Sequence, residues 1–223
     1  MATIEKIETA AESGSPCDSI VLSGVSWELY DALREIEDNW HVKMTYDRGQ
    51  LEMMSPSGMH EQFHKRIGRL IETLTEELDI PILSLAATTW KRKQQEFALE
   101  ADECYFIKME PQVRDLLEID GSQGLPPDLA IEVEVSRKAI GKLPLYALLG
   151  VAEVWRYDGV GLHAFRLTAD GKYVECAMSV NLPFLKVEEL SKFVPRRPGV
   201  SETAWIRGFR DWVRETFGDK QVP

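Results

Sequence analysis

Two acidic stretches and one histidine pair are the parts of this chain whose residue types and spacing name a chemistry. Pro127 to Ser136, Pro-Asp-Leu-Ala-Ile-Glu-Val-Glu-Val-Ser, alternates as a strand does. Leu129, Ile131, Val133 and Val135 share one face, and Asp128, Glu132, Glu134 and Ser136 share the other. Like charges stacked on one face repel, so the two glutamates point to a cation between them and a neighbour. Leu99 to Ile107 reads as a second strand, its even face carrying Glu100, Asp102, Cys104 and Phe106. Asp102 and Glu132 can therefore meet across neighbouring strands. Carboxylates converging at strand ends suit Mg²⁺ or Mn²⁺, hard cations that take oxygen ligands and keep several waters.

The histidine pair lies in His60-Glu61-Gln62-Phe63-His64, literally H-E-x-x-H. In metalloproteases two histidines one turn apart bind zinc and the glutamate is the base. Against zinc stand the brevity of the pattern, the cations Lys65 and Arg66 directly after it, and only His41 and His163 as further histidines. An acidic third ligand stays open, so a zinc metalloprotease is the remote alternative. Helix-start polarity is the plainer role for His64.

These groups need elements to position them. Lys142, Tyr146 and Gly150 recur every four residues beside Leu143, Ala147 and Leu149, which predicts a short helix from about Gly141 to Leu149. Pro144 is tolerated near its start, where the N–H groups lack intrahelical partners, and Gly150 stops it. Val151 to Asp158 reads as a buried strand, and strand, helix, strand with short joints implies a parallel right-handed crossover. Met59 to Leu78 is the longest helical stripe, through Phe63, Ile67, Leu70, Ile71, Leu74 and Leu78. Ser26 caps a helix carrying Trp27, Tyr30, Leu33 and Ile36, and Val42 to Met54 is a hairpin. A loose strand is expected at Ile82 to Trp90 and a short helix at Val113 to Glu118. A hairpin follows at Leu162 to Met178, then a Ser201-capped helix whose aromatic stripe either closes the core, the reading favoured here, or forms a subunit contact.

With 223 residues, 44% of them hydrophobic, the chain can bury a sizeable core. The expected layout is a loose arm at 1–19 and a single domain at 20–223, with its core at about 59–158 and an extension at 159–223. No run of eighteen apolar residues and no signal-peptide pattern occur, so a soluble, cytoplasmic protein is expected. Cys17, Cys104 and Cys176 are far apart, which disfavours disulfides and thiolate metal sites. The net charge of −11 runs against a strongly nucleic-acid-binding surface. Cations nevertheless cluster at Lys65, Arg66 and Arg69, at Lys91, Arg92 and Lys93, and at Arg137, Lys138 and Lys142.

The ordered series Leu51-Glu-Met-Met-Ser-Pro-Ser with His60-Glu61, Thr88-Thr-Trp-Lys-Arg, Glu100-Ala-Asp102, Pro127-Asp-Leu-Ala-Ile-Glu132-Val-Glu134, Lys142-Leu-Pro-Leu-Tyr and Gly150-Val-Ala-Glu-Val-Trp-Arg-Tyr-Asp resembles the Uma-two family of restriction-endonuclease-like proteins. That family lies in the PD-(D/E)xK nuclease superfamily, and the resemblance spans about Trp27 to Asp158. It implies an α/β restriction-endonuclease-like core, a mixed β-sheet flanked by helices. The added elements expected around it are an N-terminal helix and hairpin and a C-terminal hairpin and helix.

By position it also implies that Asp102 and Glu132 bind Mg²⁺ or Mn²⁺ together with the main-chain carbonyl of Val133. Glu134 stands where the superfamily carries its lysine, and Lys142 on the following helix is the implied substitute. Asp102, Glu132, Glu134 and Lys142 are thus the expected catalytic set, with His60 and Glu61 as cleft candidates. The implied activity is metal-dependent endonucleolytic cleavage of DNA, by analogy as a homodimer. The alternative is an inactive nuclease fold used for DNA binding or protein interaction.

Overall fold

The computed structural model of the chain describes residues 19–122, 124–135 and 140–218. The loose arm expected at 1–19 lies outside the described residues except for Ser19, and Ser136, Arg137 and Lys138 lie outside them too.

In chain order the strands are β1 (Ser19–Ser23), β2 (Lys43–Asp47), β3 (Gln50–Met54), β4 (Leu83–Ser84), β5 (Thr89–Arg92), β6 (Phe97–Glu100), β7 (Glu103–Phe106), β8 (Leu129–Val133), β9 (Glu153–Tyr157), β10 (Leu162–Leu167) and β11 (Tyr173–Cys176). The helices are α1 (Trp27–Arg34), α2 (Gly58–Glu77), α3 (Glu110–Val113), α4 (Lys142–Leu149) and α5 (Glu202–Phe217). The fold is α/β, as expected, but the strands form two sheets. One is antiparallel in the order β1-β3-β2-β6-β5, and the other is mixed in the order β11-β10-β9-β8-β7-β4.

The strand expected at Leu99 to Ile107 is broken. Its first half, β6, pairs with β2 and β5, while its second half, β7, pairs with β8 and β4. The strand expected at Ile82 to Trp90 divides in the same way, into β4 and β5. Both arms of this long hairpin therefore leave one sheet and enter the other, at 85–88 and at Ala101-Asp102. A strand that serves two sheets must bend where its partners change. The short helix expected at Val113 to Glu118 forms earlier, as α3. Pro111 suits a first helical turn, and the Asp128 carboxylate accepts the N–H groups of Ile107 and Met109 just ahead of it, at 2.7 and 2.9 Å.

The crossover forms as the spacing requires. Gly150 ends α4 at φ 89°, a left-handed conformation cheap only for glycine, and β9 then runs parallel beside β8. Leu129, Ile131 and Val133 of β8 pack against Ile67, Leu70 and Ile71 of α2 and Phe209 and Val213 of α5. Each such fully buried aliphatic side chain contributes about 1.5–3 kcal/mol. Ala130 on the opposite face packs with Leu145, Tyr146 and Leu149 of α4. Glu132 shares that face by alternation. Glu132 is thus buried beneath α4, not solvated. The aromatic stripe of α5 closes the core, with Phe209 and Trp212 stacked beside Phe193.

Candidate active site

Asp102 sits at the bend between β6 and β7. Glu103 pairs with Ile131, so one step back along the antiparallel register brings Asp102 opposite Glu132 on β8. The Asp102 N–H donates to the Ile131 carbonyl at 3.2 Å, and Oδ2 accepts the Val133 N–H at 2.7 Å. A carboxylate here does the work of a strand carbonyl, which fixes its orientation. Its Oδ1 accepts the ammonium of Lys43, which arrives from β2 in the other sheet. Burial alone would lower the Lys43 pKa. The charge and hydrogen bond of Asp102, with Glu132 and Glu61 farther off, outweigh it and leave the ammonium above its ordinary value.

Glu132 is 2% exposed and held from α4. The Lys142 Nζ lies 2.9 Å from Oε1 and 3.0 Å from Oε2, and the Tyr146 hydroxyl donates to Oε1 at 2.5 Å. Their four-residue spacing puts both donors on one helical face. Lys142 also donates to the Glu100 carbonyl at 2.6 Å, which ties α4 to the end of β6. Burial, then the negative charge of Glu132, pushes the Tyr146 pKa far above the phenol range, so it remains a donor.

Two further buried acids face this region. Glu100 Oε1 accepts the Met44 N–H at 3.3 Å and lies 3.5 Å from the Arg34 guanidinium. Burial raises its pKa, against the lowering effect of Arg34 and the Met44 N–H. Glu52, on β3, accepts the Ile140 N–H at 3.1 Å and so holds the chain entering α4. Neither Lys43 nor Glu52 stands out in the sequence reading. For Glu52 a signal existed, since it is the one charge in the apolar strand Gln-Leu-Glu-Met-Met. Lys43 has none short of the tertiary pairing.

The structure brings Asp102, Glu132, Lys142 and His60 together but leaves Glu134 outside that group. Glu134, just beyond β8, lies 3.5 Å from Arg156 and is partly exposed. His60 is buried in the first turn of α2, where Ser57 caps the helix. Its Nε2 lies 3.2 Å from Asp102 Oδ2 without hydrogen-bond geometry, and neither ring nitrogen has a hydrogen-bond partner among the described residues. Glu61, at the rim, reaches both histidines, with Oε2 2.7 Å from His64 Nε2 and Oε1 3.4 Å from His60 Nδ1.

Buried carboxylate oxygens beside an orphaned imidazole suit a Mg²⁺ or Mn²⁺ ion, which needs only one or two carboxylates. The H-E-x-x-H pattern does not assemble a zinc cage. His64 Nδ1 is committed to Glu103 at 3.3 Å and Nε2 to Glu61, and these hydrogen bonds outweigh burial to raise its pKa. Among the described residues, no three His, Cys, Asp or Glu side chains converge on one metal position, whereas zinc sites use at least three protein ligands.

The sequence profile of the Uma2 family, described as "putative restriction endonuclease", matches residues 27–195. The chain belongs to that family. Its Uma2 segment runs from the start of α1 past the crossover and into the region before α5, so it includes every site residue named above. No curated protein matches the chain. Among solved structures, a "putative nuclease" from Anabaena variabilis superposes with a TM-score of 0.45 at 14% identity, over 76% of this chain and 90% of that one. Among the described residues, no helix of this Uma2 chain is long and apolar enough to cross a membrane.

Proposed function

We propose that this Uma2 chain is a metal-dependent endonuclease that hydrolyses phosphodiester bonds in DNA. The observation that carries the reading is the placing of Asp102, just before β7, opposite Glu132 on β8, with Lys142 on Glu132, in a chain of a family described as "putative restriction endonuclease". Asp102, Glu132 and the Val133 carbonyl would hold Mg²⁺ or Mn²⁺. A bound ion of this kind polarises the scissile phosphate and lowers the pKa of an attacking water. Lys142 and Tyr146 hold and orient the Glu132 side chain, and Lys142 adds positive charge against the negative charge that develops at the phosphate. Burial strengthens each of these interactions. The homodimer expected by analogy belongs to this reading and is measured by light scattering.

The test is incubation of supercoiled plasmid with the purified chain and Mn²⁺ or Mg²⁺, beside Asp102→Asn. The reading requires nicking by the wild-type chain and not by the variant. Equal nicking by both identifies a contaminant, and nicking by neither removes the activity.

A second reading keeps the fold as a DNA-binding or protein-interaction module. It is favoured by the lysine counter-ions that both central carboxylates already carry, and by the pairing of Lys91 with Asp31 and Glu35 and of Lys93 with Glu28. Retention of DNA in a gel-shift assay, with no cleavage at any Mn²⁺ concentration, selects it.

A further inference from the structure

We propose that Lys43 is a built-in counter-ion that competes with the divalent cation for Asp102, so that it must leave Oδ1 before the ion binds there. The inference rests on the metal-dependent reading above.

The two oxygens of Asp102 are held differently. Oδ2 takes the Val133 N–H, a backbone group that cannot move without loosening the β7–β8 pairing. Oδ1 takes the tip of Lys43, a compact ammonium on a flexible four-carbon stem. Lys43 comes from β2, outside the sheet that carries both acids, so its withdrawal leaves the Asp102–Val133 bond intact. Its side chain is 12% exposed, and that opening gives the ammonium somewhere to go. Glu132 and Glu61 attract the same ammonium. Lys43 therefore stands where the carboxylates concentrate negative potential, the position a divalent cation seeks.

A divalent ion and an ammonium on one carboxylate oxygen repel each other strongly in a buried site. Binding of the ion and the Lys43–Asp102 contact exclude each other. The apparent affinity for the ion is then reduced by the fraction of molecules in which Lys43 has withdrawn. The acids are thereby compensated and kept apart from stray cations until the divalent ion is abundant enough to displace the lysine.

The experiment is titration of Mn²⁺ into the full chain, with free Mn²⁺ read by electron paramagnetic resonance, for wild type, Lys43→Met, Lys43→Arg and Asp102→Asn. The proposal expects Lys43→Met to bind Mn²⁺ at least about tenfold more tightly than wild type. Lys43→Arg should match wild type, and Asp102→Asn should bind more weakly than any. Mn²⁺ affinity of Lys43→Met equal to or below that of wild type overturns the counter-ion role and leaves the nuclease reading standing. Absence of Mn²⁺ binding by all four chains overturns both. If Lys43→Met does not unfold cooperatively, Mg²⁺ is titrated into the wild-type chain and the side-chain NMR signals of Lys43 are followed. Their displacement on saturation supports the proposal, and signals that stay fixed while Mg²⁺ binds overturn it.

Discussion

The Lys142 ammonium spans both carboxylate oxygens of Glu132, at 2.9 and 3.0 Å, from a helix that begins only ten residues beyond that glutamate. Both side chains are about 95% buried or more, so neither charge has water to fall back on. Breaking a buried pair by removing one partner costs about 3–5 kcal/mol, because the other charge is left uncompensated. Lys142→Met is expected to lose stability on that scale in urea denaturation. The double variant with Glu132→Gln should lose clearly less than the sum of the two single losses. Additive losses would show that the two groups do not act as a pair.

Glu132 and Glu134 sit on one strand but in different surroundings, and their substitution should separate them. Glu132→Gln removes an oxygen donor from the proposed metal position and is expected to slow plasmid cleavage by about a hundredfold or more, since even outer partners of metal ligands are worth about 10–100-fold. Glu134 pairs with Arg156 at 3.5 Å at a partly exposed strand exit. Glu134→Gln is expected to slow cleavage less than about tenfold and to cost under about 1 kcal/mol of stability. Single-turnover rates that fall equally for both variants would show Glu134 to act as a catalytic group beside Glu132.

The elements that carry the site were largely legible because their signals are local. The alternation of Leu129 to Val133, the stripe of α2 and the stop at Gly150 depend on residues close in sequence, and all three appear where the spacing puts them. The bend at Ala101-Asp102 was not legible. Whether Phe97 to Phe106 makes one strand or two depends on which partners the halves find, and those lie on β2 and β8, far away in the chain. Lys43 escaped for the same reason, since its partner Asp102 is 59 residues distant. For Glu134 strand alternation gives a face and not a neighbour, and its neighbour is an arginine on β9.

His64 ties stability to pH. Burial disfavours its charged form, but the hydrogen bonds to Glu103 and Glu61 win and raise its pKa above 6.5. A group whose pKa is raised on folding contributes stability that is complete below its unfolded value and is lost as pH rises through the folded one. The chain should therefore lose thermal stability above about pH 6.5, over the interval up to the raised His64 value, and His64→Gln should flatten that part of the curve. Calorimetric midpoints for the two proteins between pH 6 and 9 decide this. Parallel curves would mean that the imidazolium contributes nothing to the fold.

Lys91 belongs to a basic cluster that, in sequence, looks like a phosphate-binding patch. In the fold its ammonium lies 2.8 Å from Asp31 and 3.4 Å from Glu35 on and just after α1, and Lys93 faces Glu28 at 3.6 Å. A cation already neutralised by the protein releases few counter-ions from a nucleic acid, whereas removing a lysine that does hold a phosphate should change the salt slope of binding by about one. Lys91→Ala is accordingly expected to leave the affinity for duplex DNA and its salt slope unchanged, while lowering stability by about 0.2–1 kcal/mol as a partly exposed ion pair is removed. Fluorescence anisotropy across a salt series reads the first quantity and urea denaturation the second. A slope reduced by about one, with stability untouched, would show that Lys91 leaves α1 to hold a phosphate and that this face meets the DNA.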